Sequence, residues 1–553
     1  MREVIKMDVG IFASDLGLVL FAMIIGMMMG SLTGLIPGFH VNTVAMVLLT
    51  LTPLFVSYGV PLKMVAVIII SCGTVHTFVG YVPAALLGAP EDSTALALLP
   101  GHRMLLAGHA PLGVAWSARG SQLGLLLSLP LLVVGRILFG PELGLYQDVR
   151  TQLPWILLGI TLMLLYTERT RLDWPEFIQR LSGGRLGEES RLAGTVATIA
   201  YFLLCGFYGL AVFALPAKSP VGLPGPSMLG PALAGLFGVA GLLDIMLTMS
   251  HIPEQHDEWT MPPAKPIMGS CFGASSIGAM MGFLPGMTAA QATVLVMSGR
   301  NMIRQVTDPS ADMYEWEGKA NAHAMRGPQH QMLAAASLNV AGGAAAATSA
   351  RRKFVPPERT AVHEKKIQKV WERTLRMKEK MQPFDPDESK PSENDLEVIA
   401  VLSAVNTAVT VMVLGWLYII ARPRSGAALV LDRMYPIDYW IEFQPPGDFI
   451  TFVGVTIASG LIAVPLMLRM GRWFLKIHAA IPLHALVIGV IVFLALLSWI
   501  QSGMLGLLVM FVGAALGFMP QRIGIRRSHS MAIILFPIML YLFDYRYGWV
   551  PFV

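Results

Sequence analysis

The sequence predicts an all-α polytopic membrane protein: two inverted-topology repeats with broken helices and re-entrant hairpins, about ten to thirteen membrane segments in all. Three observations predict it. Of 553 residues, 54% are hydrophobic and only 14% are charged. The apolar stretches are continuous and long enough to span a bilayer, which takes roughly 20 residues. One glycine-rich pattern ending in Pro-Gly occurs twice. A soluble chain carries about 25% charged residues, so this one cannot cover a water-facing surface. Continuous apolar runs, without alternation, exclude a membrane barrel. The same composition excludes disorder, a secreted disulfide scaffold and a nucleic-acid module. The excess of 40 Lys and Arg over 35 Asp and Glu reads as loop charge.

Taken in order, the apolar segments lie near 12–35, 41–57, 63–82, 120–140, 152–167, 193–215, 228–250, 269–298, 396–421, 448–469, 480–500, 503–519 and 529–545. The opening MREVIKMDVG runs into the first of these without a small-residue cleavage site, so that segment reads as a membrane helix and not a removable signal. Cys72, Cys205 and Cys271 sit in apolar stretches with no CxxC spacing and read as small core residues. Two polar segments interrupt the pattern. Glu168 to Arg191 carries balanced acids and bases. In the second, Asn301 to about Glu397, Ile367, Val370, Trp371 and Leu375 recur at helical spacing, which suits either a surface amphipathic helix or a solvated regulatory loop. The positive-inside tendency places both segments on the cytoplasmic side. The expected organisation is a first repeat over 1–215 with a hairpin near 72–103, and a connecting segment over 216–268 with one membrane helix. A second repeat over 269–500 follows, with a polar insertion at 301–397 and a hairpin near 403–431, then C-terminal helices over 501–553.

The repeat is visible in GMMMGSLTGLIPGFHVNTVAMVLL and GASSIGAMMGFLPGMTAAQATVLVM. Gly30, Gly34, Pro37 and Gly38 align with Gly278, Gly282, Pro285 and Gly286 at one constant offset. Small residues four apart serve helix packing, but packing does not require Pro-Gly to break both helices at the same point. Matched interruptions of that kind point to a transport site. A second matched pair follows, Cys72–Arg103 and Ser403–Leu431. Each has a polar patch in an apolar helix: Gly73, Thr74, His76 and Thr77 in one, Asn406 and Thr407 in the other. Each then reaches a proline with polar neighbours, Glu91, Asp92, Ser93 and Thr94 or Arg422, Arg424 and Ser425. Such tips are costly against lipid, which predicts hairpins that enter the membrane without crossing it; an extramembrane loop is the alternative.

A Pro-Gly break leaves the first N–H groups of the next half-helix unpaired and partly positive, a setting that suits a carboxylate or phosphate. Pro37-Gly38 and Pro285-Gly286 are therefore expected close together, with Asn42, His76 and Asn406 facing the gap. The candidate substrate set is Pro37, Gly38, His40, Asn42, Thr43, Gly73, Thr74, His76, Thr77, Pro285, Gly286, Thr288, Gln291, Asn406 and Thr407. Thr74, Asn406 and Thr407 are also candidate oxygen ligands for a sodium ion; the threonines can equally bond a carbonyl one turn back. Histidines are uncommon in apolar helices, which makes His40 and His76 candidate proton carriers. Arg103, Arg526 and Arg527 read as interface anchors. No HExxH, GxSxG, Walker or Rossmann pattern stands in a suitable context, so neither an enzyme, an ATP-driven pump nor a resident cofactor is expected. A translocase for a polyprenyl-phosphate lipid and a non-transporting scaffold are the alternatives to an anion carrier.

Taken together, these residues resemble the large permease subunit of the tripartite tricarboxylate transporter family, in its archaeal branch. The resemblance is carried by Gly34-Leu35-Ile36-Pro37-Gly38-Phe39-His40-Val41-Asn42-Thr43, Ala85-Leu86-Leu87-Gly88-Ala89-Pro90-Glu91-Asp92 and Leu99-Pro100-Gly101-His102-Arg103. It continues in Gly282-Phe283-Leu284-Pro285-Gly286, Val405-Asn406-Thr407-Ala408, Ala421-Arg422-Pro423-Arg424-Ser425-Gly426-Ala427 and Gly524-Ile525-Arg526-Arg527-Ser528-His529-Ser530-Met531. Two features depart from bacterial members: no Pro-Glu-Ser-Ala-Asn-Asn stretch occurs, and Thr74-Val75-His76-Thr77 replaces Gly-Gly-Ser. The resemblance implies a substrate site between two inverted repeats. It also implies secondary transport of a carboxylate-type organic anion across the cell membrane, driven by a sodium or proton gradient. Expected partners are the organic anion, membrane lipids, and the small membrane subunit and extracytoplasmic binding protein of bacterial systems. A homodimer is allowed, and no nucleic acid is expected.

Overall fold

Backbone groups in an apolar run find partners only within their own segment, and helices result. The computed structural model describes residues 2–36, 41–87, 101, 104–105, 107–166, 168, 172, 190–221, 228–248, 254–287, 289–307, 393–480 and 483–547. Its helices are α1 (Arg2–Leu35), α2 (Val41–Thr50), α3 (Thr52–Ser57), α4 (Leu62–Val79), α5 (Tyr81–Leu87), α6 (Ala110–Phe139), α7 (Leu145–Tyr166) and α8 (Arg191–Ala214). After them come α9 (Leu229–Leu233), a π-helical stretch (Ala234–Val239), α10 (Ala240–Thr248), α11 (Ala264–Phe283) and α12 (Ala289–Thr307). The last are α13 (Glu393–Ile419), α14 (Gly426–Met434), α15 (Gly447–Ala480), α16 (Leu483–Ile523), a 3₁₀ turn (Arg527–Met531) and α17 (Ala532–Tyr547). The chain is an all-α polytopic membrane protein.

Among the described residues, nine helices are long and apolar enough to cross a membrane. One of them, within α16, is two arms. Gly503 (φ 63°, ψ −154°) breaks the helical backbone there, and the Ser498 hydroxyl lies 3.4 Å from the Met510 sulfur. Those residues would be far apart in a straight helix at 1.5 Å rise per residue, so the arms fold back on each other, as the separate segments 480–500 and 503–519 predict. In the expected hairpins the outgoing arms, Leu62–Leu86 and Asp395–Ile419, are each 25 residues and long enough to cross. The part of the second hairpin too short to cross is α14, nine residues long. The three cysteines are free and buried.

α4 and α13 form the centre: 83% of each apolar window is buried, against 28–44% for the other spans. Glycines set the contacts. Gly26, Gly30 and Gly34 of α1 meet Ile68, then Cys72 and Val75, then Val79 of α4. Gly278 and Gly282 of α11 meet Val405 and Ala408, then Val409 and Met412 of α13. Gly120 and Gly124 of α6 lie on the carbonyl groups of Ala400 and Ala404 of α13. These three pairs advance together along both chains and are therefore parallel. So is α4 with α15, tied by Lys63–Asp448 at 2.6 Å and, further along, by Gly460 beside Thr74. α6 and α15 run the opposite way to each other, since Gly460 meets Leu125 and Gly471 meets Val114. Helices α1, α4 and α15 thus point one way, and α6, α11 and α13 the other. The matched elements α1 and α11, and α4 and α13, are opposed in direction.

The remaining helices pack alongside. Gly206 and Gly209 of α8 rest on Phe536 and Ile533 of α17. Arg527, expected as an interface anchor, is only 9% exposed. It donates to the Leu236 carbonyl at 3.0 Å and to the Phe237 carbonyl, where the π-helical winding departs from the ordinary hydrogen-bond ladder. Next to it the buried carboxylate of Glu168 accepts from Arg526 N at 3.2 Å and lies 3.1 Å from His529 Nε2.

Candidate functional site

Several expected site groups, Pro37, Gly38, His40, Thr288 and the side chain of Thr43, lie outside the described residues. So do Glu91–Thr94, Arg103 and the stretch Ile367–Leu375. The others can be placed.

Asn42 stands in the first turn of α2, and its Oδ1 accepts from Ala427 N at 3.0 Å. Ala427 is in the first turn of α14, where Ser425 Oγ accepts from Ala428 N at 3.1 Å as N-cap. Gly426 permits this approach, since a Cβ there would stand 2.8 Å from Asn42 Cγ. Val41 touches the middle of α4, 3.6 Å from where a Cβ on Gly73 would sit. The starts of two short helices, one from each half of the chain, therefore meet at the mid-length of a membrane helix. The expected approach of Pro37-Gly38 to Pro285-Gly286 falls on residues outside those described; what meets the start of α2 is the tip of the second hairpin.

The same tip also reaches the second break. The Arg424 guanidinium lies 5.5 Å from the ring centroid of Phe283, the last residue of α11 before Leu284-Pro285-Gly286. Gly286 has φ +74°, and a Cβ on it would stand 2.8 Å from Ile538 Cδ1 of α17. A left-handed turn packed on α17 by itself demands glycine there. Gln291 is buried on α12.

Where α4 faces α13, the hydroxyls of Thr77 and Thr410 lie 3.1 Å apart. These are equivalent positions when the two hairpins are aligned, as are Cys72 with Val405 and Val75 with Ala408. Each hydroxyl also lies within bonding distance of its own helix, Thr77 to Gly73 O at 2.8 Å and Thr410 to Asn406 O at 3.1 Å. Each has one hydrogen, so one donates across the interface while the other donates back. Thr410 escaped the sequence reading, although aligning the two hairpins puts it opposite Thr77. Replacing both with valine should show a coupling of about 0.6 kcal/mol in a double-mutant cycle on unfolding in mixed micelles. Strictly additive losses would mean that the two hydroxyls do not bond.

Thr74 and Thr407 are buried and donate one turn back, to Ile70 O at 2.9 Å and Ser403 O at 3.0 Å, which accounts for their polarity in apolar helices. Asn406, the third of the candidate sodium ligands, is half-buried. His76 does not face the α4–α13 interface. It is one helical position from Thr77 and turns to α1, where its Nδ1 lies 3.0 Å from Thr33 Oγ1. No group of three His, Cys, Asp or Glu side chains among the described residues is disposed to hold a metal ion.

Residues 20–347 and 374–532 match the model of the Tripartite tricarboxylate transporter TctA family. An uncharacterized protein of Methanocaldococcus jannaschii is 26% identical over 279 residues, which are 50% of this chain and 60% of that protein. This chain thus spans less than two thirds of that relative's length. No solved structure matches the chain.

Proposed function

Because the chain belongs to the tripartite tricarboxylate transporter TctA family, we propose that it is a secondary transporter permease that moves a carboxylate-type organic anion across the cell membrane. The family is one of transporters, and a multi-pass chain without enzyme motifs accords with it. The observation that carries the reading is the Asn42–Ala427 contact, which joins the starts of α2 and α14. Ala427 N and Ala428 N of α14 are already held by Asn42 and Ser425, so what the two helix starts offer an anion is chiefly the positive end of the helix dipole. Two such starts at the mid-length of α4 make a place for an anionic group inside the bilayer.

An inverted-repeat frame belongs to the same proposal, supported by the opposed directions of the matched helices. In it, α2 and α14 line the site, with Asn42, Asn406 and Thr77 among the polar groups nearest the interface. Coupling to a sodium or proton gradient, and work with a small membrane subunit and an extracytoplasmic binding protein, complete the proposal. The polyprenyl-phosphate alternative gains no support from the family match.

Radiolabelled citrate, succinate and acetate offered to proteoliposomes, with and without imposed sodium and pH gradients, test the reading. Uptake of citrate or succinate above protein-free vesicles is expected. If neither enters, even with the accessory subunits supplied, the carrier reading fails.

A further inference from the structure

We infer that Arg424 is the side chain that grips a carboxylate of the transported anion, an assignment that rests on the transport reading above. A charge buried within a membrane protein is costly and needs a partner. Arg136 and Arg527 carry buried guanidinium nitrogens that meet no acceptor among the described residues, but each spends its other groups on carbonyl or carboxylate oxygens. Arg136 donates to the carbonyls of Ile441 at 2.9 Å and Glu442 at 3.1 Å and pairs with Glu142, and Arg527 donates to the Leu236 and Phe237 carbonyls. Arg424 bonds no carbonyl or carboxylate among the described residues. Its guanidinium lies over Phe283 with Tyr146 beside it, yet Nε and Nη2 are buried and meet no acceptor among the described residues. Its charged neighbour Arg422 has the same sign and cannot neutralise it.

The two unmatched groups form one edge of the guanidinium, the edge that binds a carboxylate through two parallel hydrogen bonds. Phe283, with Phe139 at 4.6 Å and Trp416 at 5.2 Å between ring centroids, supports the guanidinium plane on a packed aromatic surface. Arg424 also immediately precedes Ser425 and is two residues from Gly426, at the junction with Asn42. Two residues of chain span about 7 Å at most, so one small anion can engage the Arg424 edge and the start of α14 together. The substrate class this selects is a small carboxylate with planar recognition.

The test uses the full chain in proteoliposomes and in detergent, with citrate and succinate as probes. Arg424→Lys keeps a cation over Phe283 but loses the two-pronged edge. Its KM for the transported probe should rise about 10- to 100-fold, and stabilisation of the detergent-solubilised protein by that probe should vanish while the elution profile is unchanged. Arg424→Gln should lose uptake. Should Arg424→Lys fail to fold, phenylglyoxal labelling of the wild-type chain, read at Arg424 by mass spectrometry, takes its place: protection by the probe supports the assignment, and equal labelling with and without it overturns it. Wild-type KM and wild-type stabilisation in Arg424→Lys would overturn the role of Arg424 and leave the carrier reading standing. If the wild-type chain transports neither probe, both fall together.

Discussion

Gly120→Val is expected to leave no monodisperse protein in detergent. Gly120 sits where α6 presses on α13, and a Cβ there would overlap the backbone carbonyl of Ala400. The obstacle is backbone inside a helix, so no rotamer change relieves it. Gly124 repeats the situation one turn later against Ala404, and the Ser117–Ser403 hydroxyl pair at 2.8 Å anchors the same seam. Membrane helices associate through close packing and interhelical hydrogen bonds, not through exclusion of water. Prying this seam apart therefore removes what holds α6 and α13 together. Overpacking ordinarily costs about 1–3 kcal/mol, occasionally more; two branches of valine against an immovable carbonyl belong at or beyond the upper end. The control is Gly273→Val on α11, where a Cβ would meet nothing within 4 Å. Equal elution profiles for the two variants would contradict the α6–α13 packing.

The second large effect is on transport. Gly426→Val should fold and yet lose uptake by about 100-fold or more, the scale on which an ångström of misplacement acts. A Cβ at Gly426 would stand 2.8 Å from Asn42 Cγ. Asn42 can yield only by giving up its bond to Ala427 N, which separates the starts of α2 and α14. The fold should survive because α14 is short and the obstacle is one side chain at the helix start. Adding Asn42→Ala removes the obstructing atoms and should recover part of the uptake. Unimpaired transport by the single variant, measured beside wild type at matched reconstitution, would show that the junction is not part of the anion route.

The sequence and the fold divide unevenly at the site. The glycine-rich pattern ending in Pro-Gly marked both breaks, and the polar patches of both hairpins were legible because threonine, asparagine and histidine stand out in apolar helices. What those groups touch was not legible. Thr74 and Thr407 spend their hydrogens on their own helices. His76 faces α1, and Thr410, without a mark of its own, is the partner of Thr77. Arg424 read as part of a hairpin tip, since nothing in its neighbours announces that Phe283 and Tyr146 enclose it. For Gly286, a candidate substrate residue, the structure adds a left-handed turn packed against α17.

By itself the sequence determined that the chain is helical, where the apolar helices run, where they break, and that its two halves carry one pattern. Those properties depend on residues near one another along the chain: hydrocarbon compels each segment to satisfy its own backbone, and proline and glycine interrupt it locally. Tertiary structure decided which helix faces meet, that α6 of one half lies on α13 of the other, and that the start of α2 meets the tip of the second hairpin. In lipid nearly every face of these helices is apolar, so hydrophobicity cannot choose among them. The choice falls to shape, in glycines that let backbones touch, and to a few hydrogen bonds between residues hundreds of positions apart.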